Sequence, residues 1–204
     1  RDPGIYPRGD QPTMENDRAI FNGDNDPYAR AHIMKGWSGG TWDGSKVATT
    51  DWTDFVTQTG ITTEHTISGS GGNDKSQSYL SFGWLSNEGT IKGQEYERYT
   101  AKVSNDLKLT DWLKLGATIN AIYSIQNYGM SNDGGTISGP GSAYAAATRN
   151  LPYAVAYDDA GNRIEYPGAD SKIKTVVDEW QYSKDERKIF RALGSFYGQL
   201  NIGK

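Results

Sequence analysis

Strict alternation of apolar and polar residues is the feature that most limits what this chain can fold into. In "YERYTAKVSNDLKL", residues 96–109, the apolar side chains of Tyr99, Ala101 and Val103 are separated by charged or hydroxylated residues. The same period of two runs through "ITTEHTISGS" (61–70), "SYLSFGWLS" (78–86), "LKLGATINAIYSIQ" (113–126) and "IFRALGSFYGQLNI" (189–202). Successive side chains of a β-strand point to opposite faces, so the five segments are predicted to be strands with one apolar and one polar face.

The composition excludes several functional classes. The 204 residues include 25 glycines and 12% aromatic residues, which is typical of an ordered, turn-rich protein and not of a coiled coil or a charged disordered tail. A net charge of −4 without a basic cluster argues against nucleic acid as a partner. Because there is no cysteine and only two histidines, we expect no metal site, and no motif suggests a cofactor. No apolar run approaches the roughly 20 residues of a membrane-spanning helix, a criterion that does not detect barrel strands.

The lengths of the connections predict how the chain is organised. The turns at "GGNDK" and "TDW" are tight, whereas the connection after residue 128 is very long. Capping residues indicate three short helices near the start: "MENDRAIF" after Thr13, "PYARAHIM" opened by Pro27, and "DWTDFVTQT" after Thr50. The glycine-rich "GWSGGTWDGS" is predicted to be loop, with the aromatic side chains of this region packing locally. The predicted regions are a loop region with short helices (1–60), four antiparallel strands (61–128), a long loop (129–186) and a further strand (187–204).

Two kinds of fold would use such a sheet. In a soluble β-sandwich the apolar face packs on a second sheet, and in an outer-membrane barrel it meets lipid; alternation alone leaves both open. Short turns at one end, long loops at the other and strands of at least about 9 to 11 residues are typical of a barrel. If the long loops are extracellular, Trp84, Tyr99 and Tyr123 lie at one level of the apolar face, where a lipid interface favours amphipathic rings. The charged and hydroxylated opposite face suits a hydrated lumen, which favours the barrel.

A series of short motifs runs from Thr50 to about Asn127 in a characteristic order. The motifs are the Asp51-Trp52 helix with its Thr59-Gly60 end, the Gly71-Gly72-Asn73 turn, Ser81-Phe82-Gly83-Trp84, Glu88-Gly89, Tyr96-Glu97-Arg98-Tyr99, and Thr110-Asp111-Trp112-Leu113-Lys114-Leu115-Gly116. This series resembles the first barrel strands of the SusC/RagA-type TonB-dependent outer-membrane transporters of Bacteroidetes. A looser match follows in "RNLPYAVAYDDAGNRIEYPG" and "ALGSFYGQLNIGK".

The resemblance implies both a fold and a function. The fold is expected to be all-β, an internal segment of a large antiparallel transmembrane β-barrel whose long extracellular loops carry short helices; such barrels reach about 22 strands around a plugged lumen. The expected function is TonB-dependent import of oligosaccharides or peptides across the outer membrane, without enzymatic activity. The expected partners are a SusD-like surface lipoprotein, TonB acting through the plug, membrane lipid and the oligosaccharide or peptide. A soluble β-rich glycan-binding module is the alternative.

Chemistry rather than resemblance suggests the candidate binding residues. In the long loop, the rings of Tyr144, Tyr153 and Tyr157 lie near Asn150 and Asp159 in sequence, and sugar sites combine aromatic faces with planar polar groups. Packing of the loop, or contact with the lipoprotein, is the competing explanation for each of these residues. The predicted lumen-facing residues are Glu64, Arg98, Lys102, Asn120 and Arg191, and the predicted membrane-interface aromatics are Trp84, Tyr99 and Tyr123. Glu64 is expected to pair with a basic lumen residue on a neighbouring strand. No catalytic residue is predicted, because adjacent carboxylates such as Asp158 and Asp159 are explained by turn chemistry.

Overall fold

A computed structural model describes residues 13–15, 17, 27–130, 142–167, 175–182 and 185–202. The chain divides into two compact units. The loop unit comprises Arg1–Gln58 and Gly129–Lys184, and the sheet unit comprises Thr59–Tyr128 and Asp185–Lys204. Within the described ranges, no helix is long and apolar enough to cross a membrane.

The loop unit is built from short elements. Its first part contains helix α1 (Pro27–Met34), which confirms the helix predicted for "PYARAHIM", and the two-residue strands β1 (Trp37–Ser38) and β2 (Thr41–Trp42). Its second part contains helices α2 (Ala143–Arg149) and α3 (Glu179–Tyr182). Residues 14, 15 and 17 are helical, as predicted after Thr13, and the rest of that predicted helix lies outside the described residues.

Two predictions for the loop unit are wrong in detail. The glycine-rich segment is not all loop, because β1 and β2 pair around Gly39 and Gly40, whose φ values of +56° and +80° suit a two-residue hairpin turn. The helix expected after Thr50 is only a short 3-10 helix, Trp52–Phe55. Asp51 caps it instead, because its carboxylate accepts a hydrogen bond from the backbone N–H of Thr53 at 2.9 Å. A second 3-10 helix, Gly44–Lys46, follows the hairpin.

Trp52 connects the two parts of the loop unit. Its indole N–H donates to the carbonyl oxygen of Leu151, 99 positions away, at 2.8 Å, and its side chain is 3% exposed. Thr50 adds two bonds to the same segment, from its backbone N–H to the Pro152 carbonyl at 2.7 Å and from its hydroxyl to the Ala154 carbonyl at 2.8 Å. The prediction of purely local packing is therefore wrong for Trp52, and the use of Thr50 in these long-range bonds explains why Thr50 is not the cap.

The sheet unit is one antiparallel sheet of five strands that pair in sequence order. The strands are β3 (Thr62–Asn73), β4 (Ser76–Glu88), β5 (Gln94–Lys108), β6 (Leu113–Tyr128) and β7 (Glu186–Leu200). All five segments predicted from alternation are confirmed as strands, and their lengths of 12 to 16 residues exceed the roughly 9 to 11 that cross a membrane.

The short turns of the sheet lie at one end and the long connections at the other. The turn between β3 and β4 consists of Asp74 and Lys75 alone, so the glycines of "GGNDK" belong to β3 and not to the turn as predicted. The side-chain oxygen of Asn73 accepts from the backbone N–H groups of Lys75 and Ser76, at 2.9 and 3.0 Å, and so closes this turn. Residues 109–112 make the other short turn. We call the end of the sheet that carries these two short turns the turn end. The opposite end, where residues 89–93 and 129–185 connect strands, is the loop end.

Candidate functional site

The register of the five strands separates the side chains onto two unlike faces. The apolar face carries a central belt of large side chains from successive strands, including Phe82, Leu80, Val103 and Ile119. These four are 44 to 51% exposed in the sheet unit, so the unit itself does not cover them. The polar face carries all five predicted lumen-facing residues: Glu64, Arg98, Lys102, Asn120 and Arg191. That this face lines a lumen remains a prediction.

One row of the apolar face consists of ring side chains from all five strands. In register across the sheet it runs His65, Trp84, Tyr99, Tyr123 and Phe190, and we call it the aromatic row. The rings of His65 and Trp84 stack with centroids 5.6 Å apart, and those of Tyr99 and Tyr123 are 6.4 Å apart. The structure thus brings together the three aromatics predicted for the membrane interface. Sequence reasoning missed His65 and Phe190, although both occupy the apolar phase of their strands.

Five charged residues lie on this side of the sheet beyond the aromatic row, with Ile125 as an apolar residue among them. Glu97 and Lys188 lie two residues from the row towards the loop end, and Glu88, Glu95 and Glu186 lie four residues from it. In the other direction, the apolar residues continue past Leu107 and Leu115 to Leu113 and Leu200, which are paired at the turn end. The apolar face is therefore a band with a defined upper edge.

Glu64 forms an ion pair with a basic residue, as expected, but this residue is not on the neighbouring strand. Its Oε1 lies 3.2 Å from Nη2 of Arg98. The partner is on β5, the next strand but one, and Leu85 of β4 lies in register between the two residues. Because both side chains are partly exposed to solvent, the pair contributes little to stability. Its main consequence is that the Glu64 carboxylate already has a cationic partner.

A second cluster of the polar face lies near the turn end and was not predicted. The Tyr197 hydroxyl donates to Oδ1 of Asp106 at 2.7 Å, and Nζ of Lys114 lies 3.2 Å from Oδ2 of the same carboxylate. Lys114 also lies 5.9 Å from the centre of the Tyr197 ring. Gly116 lies directly under that ring, where a Cβ atom would be 2.0 Å from Cε1 of Tyr197. The only signal in the sequence is a glycine in the polar phase of a strand.

The candidate ligand residues of the long loop are not brought together as a set. Tyr144 and Tyr157 are 48% and 47% exposed, Tyr153 is half-buried and Asp159 is exposed. Within residues 142–167, no ring contact joins the three tyrosines. Asn150 is buried at 6% exposure, and its Nδ2 donates back to the Ala146 carbonyl at 3.0 Å at the end of α2. This geometry gives Asn150 a packing contact, which was the competing explanation.

The acidic segment "DDAGN" forms a closed turn around Asp158. Its Oδ1 accepts from the backbone N–H groups of Ala160 at 2.9 Å and Asn162 at 2.7 Å. The hydrogen bond from the Asn162 side chain, followed by these backbone bonds, holds the pKa of Asp158 below its ordinary value. Among the described residues, no group of three or more His, Cys, Asp or Glu side chains is placed to hold a metal ion.

Comparison with known proteins identifies the family. No protein-family model matches the chain. "TonB-dependent receptor P3" of Formosa agariphila is 30% identical over 154 residues, which is 74% of this chain and 15% of that receptor. "TonB-dependent receptor P26" of the same organism is 24% identical over 202 residues, which is 96% of this chain and 18% of that receptor. The chain belongs to the TonB-dependent receptors.

The fold of this receptor chain matches a solved transporter. The structure of the RagAB peptide transporter superposes on 99% of the chain and 23% of its own length, with a TM-score of 0.66 at 20% identity. The RagAB peptide importer in its open-open state gives a TM-score of 0.61 over 98% of the chain. These structural matches confirm the predicted barrel-segment fold class, and together with the curated receptors they support the predicted recognition as a TonB-dependent receptor segment and the outer-membrane localisation. The receptor chain spans 7 to 18% of the length of the curated relatives it matches, which are receptors and not enzymes.

Proposed function

We propose that the full-length receptor imports oligosaccharides or peptides in a TonB-dependent manner, and that the sheet spans the outer membrane as part of its barrel. In this proposal the polar face lines the lumen and the apolar face contacts lipid. The turn end is periplasmic and the loop unit is extracellular. A SusD-like surface lipoprotein delivers the cargo, and TonB acts through a plug.

The height of the apolar band is the observation that supports this proposal most. From Tyr123 in the aromatic row to Leu113 at the turn end of β6, the chain advances by about 33 Å if each residue of an extended strand adds about 3.3 Å. At a strand tilt of about 40°, this is about 25 Å along the membrane normal, which is the height of the apolar band in outer-membrane barrels. The glutamates beyond the aromatic row then lie outside the hydrocarbon, where their charges remain hydrated. A second sheet in a soluble sandwich would impose no such height.

The family and the loop chemistry support the choice of cargo and partner. RagAB, which has this fold, is a peptide transporter. Exposed tyrosines at Tyr144 and Tyr157, with the carboxylate of Asp159, offer contacts to a peptide, to a glycan or to the lipoprotein. We assign Tyr153 to the same surface and Asn150 to the packing of α2.

Selective labelling tests the proposed orientation. In the full-length receptor in intact cells, Asp159→Cys and Asp74→Cys place single thiols in the long loop and in the β3–β4 turn, and the 204 residues contain no other cysteine. A membrane-impermeant maleimide is expected to label the first variant directly and the second only after the outer membrane is permeabilised. Labelling of Asp74→Cys in intact cells, with the periplasm shown to be closed, would contradict the orientation.

Uptake measurements test the proposed activity. Cells that express the full-length receptor with its surface lipoprotein are given labelled peptides and labelled oligosaccharides. We expect uptake of one class to be lost when the receptor or TonB is deleted, and to be restored when the receptor is supplied again. Uptake that continues unchanged without TonB would refute energised import.

A further inference from the structure

The charges of the sheet are divided unequally between its faces. Two side chains of the polar face are carboxylates, Glu64 and Asp106, and six are cationic: Arg98, Lys102, Lys108, Lys114, Arg187 and Arg191. The other face carries four glutamates and one lysine, all beyond the aromatic row. The chain as a whole has a net charge of −4, so its overall composition does not account for a positive polar face.

Both carboxylates of the polar face already have partners. Glu64 pairs with Arg98 at 3.2 Å, and Asp106 pairs with Lys114 at 3.2 Å. At the turn end, Lys108 pairs with Asp111 at 2.8 Å. Lys102, Arg187 and Arg191 are left, and no carboxylate of the described residues forms an ion pair with any of them.

The uncompensated cations lie on β5 and β7, the strands that flank β6, and at their level the polar face of β6 carries no charged residue. Lys102 is on β5, in register with Asn120 of β6, and Arg187 on β7 is in register with Gln126 of β6. The row of Lys102 and Asn120 continues at Leu193 of β7, so that Arg191 lies two residues from this row and Arg187 lies six residues from it, about 20 Å along the strand. The three cations therefore follow the polar face from its middle towards the loop end. We call Lys102, Arg187 and Arg191, with Asn120 and Gln126 between them, the cationic track.

Most aromatic rings of the polar face are covered by cations. Nζ of Lys102 lies 5.6 Å from the ring centre of Tyr79, and the guanidinium of Arg187 lies 5.2 Å from that of Tyr128. Lys114 is placed similarly over Tyr197. Binding of sugar rings uses open aromatic faces, and here three of the four tyrosine rings of the polar face have a cation over them, Tyr96 being the fourth. The free chemistry of the track is therefore positive charge with amide hydrogen-bonding groups, which suits carboxylates and peptide groups.

We propose that the cationic track makes the receptor selective for acidic peptides. This inference rests on the proposed import function and specifies its cargo. Aspartate and glutamate side chains and the C-terminal carboxylate of the peptide bind Arg187, Arg191 and Lys102. Asn120 and Gln126 offer hydrogen bonds to the peptide groups between them. The uncompensated charge also raises the local concentration of anionic cargo in the lumen.

Two matched peptides and three variants of the full-length receptor test the proposal. The peptides are identical except that glutamates in one are replaced by glutamines in the other. One test variant is a double variant that combines Lys102→Gln with Arg191→Gln. The other is Arg191→Lys, which preserves the charge. Lys108→Gln is the control, because Lys108 is already paired with Asp111. The amount of each variant at the cell surface is compared with that of the wild type.

We expect uptake of the acidic peptide to fall about tenfold in the double variant, equivalent to about 1.4 kcal/mol, while uptake of the glutamine peptide is unchanged. Arg191→Lys and Lys108→Gln are expected to behave like the wild type, and added salt is expected to reduce the preference of the wild type for the acidic peptide. An equal loss of uptake of both peptides would overturn the proposal, since the cations would then stabilise the barrel or contact the plug and not select the cargo.

Two further outcomes separate this inference from the proposed function. If the wild-type receptor imports acidic oligosaccharides and no peptide, the peptide assignment is wrong and the import function stands. If the wild type shows no TonB-dependent uptake of either class, the import function itself is wrong. A preference of the wild type for the glutamine peptide would overturn the charge argument alone.

Discussion

Gly116 is placed under the Tyr197 ring, and this contact makes the position sensitive to a single methyl group. A Cβ atom there would be 2.0 Å from the ring and 2.5 Å from Oδ1 of Asp106, so Gly116→Ala must displace the tyrosine from its carboxylate partner. We expect the free energy of unfolding of the full-length receptor to fall by about 1 to 3 kcal/mol, as for other overpacked sites. The measurement is the temperature at which the folded band disappears in gel electrophoresis.

Gly69→Ala is the matched control for that experiment. Gly69 also lies within a strand of the same sheet, and a Cβ atom there meets nothing within 4 Å. Equal destabilisation by both substitutions would show that backbone propensity, and not the tyrosine contact, causes the effect.

The Asp158 turn predicts a pH dependence confined to the loop. Because the pKa of Asp158 is lowered in the folded turn, its stabilising bonds are fully formed above the ordinary carboxyl pKa and are lost as the pH falls through the lowered value. Protection of the Ala160 and Asn162 amides against hydrogen exchange, corrected for intrinsic rates, is expected to fall over that acidic range. Asp158→Asn is expected to remove this pH dependence, and Asp159→Asn, at a neighbouring exposed carboxylate, is expected to preserve it. Identical behaviour of the two variants would exclude Asp158 as the cause.

At the scale of the element, the two faces of β4 are expected to tolerate charge very differently. Leu80 lies in the middle of the apolar band, in register with Val103, and Ser81 follows on the polar face. Leu80→Arg in the full-length receptor is expected to cost about 2 to 4 kcal/mol, because the charge enters the hydrocarbon, and to reduce the folded receptor in the outer membrane. Ser81→Arg is expected to leave that amount near the wild-type level. Equal tolerance of both would mean that the apolar face does not meet lipid.

The whole molecule is expected to depend on an apolar solvent. The apolar face leaves many large side chains exposed, including Phe190 and Phe196 at 68% and 74%. A surface of this extent on a soluble monomer would drive association. We therefore expect the full-length receptor to be extracted from the outer membrane only with detergent and to aggregate when the detergent is removed. A monomer that stays soluble without detergent would instead favour the β-rich glycan-binding module.

The sequence alone predicted the strands and their faces because a period of two is a local property of the chain. It also placed Trp84, Tyr99 and Tyr123 at one level, since strand lengths and short turns determine the register of antiparallel neighbours. Local rules worked less well where distant residues compete. Threonine is a residue type that favours helix N-caps, yet Thr50 hydrogen-bonds residues 152 and 154 in the tertiary structure, and Asp51 caps the helix instead.

Only the tertiary structure decided the contacts between residues that are far apart in sequence. The Trp52–Leu151 bond, the Asp106–Lys114–Tyr197 cluster over Gly116 and the completion of the aromatic row by His65 and Phe190 all join separate segments. Apolar residues of the polar face, such as Ile122, blur the alternation locally, so neither these contacts nor the cationic track can be derived from any single strand. Periodicity is encoded along the chain, whereas pairing of charges and rings depends on which strands become neighbours.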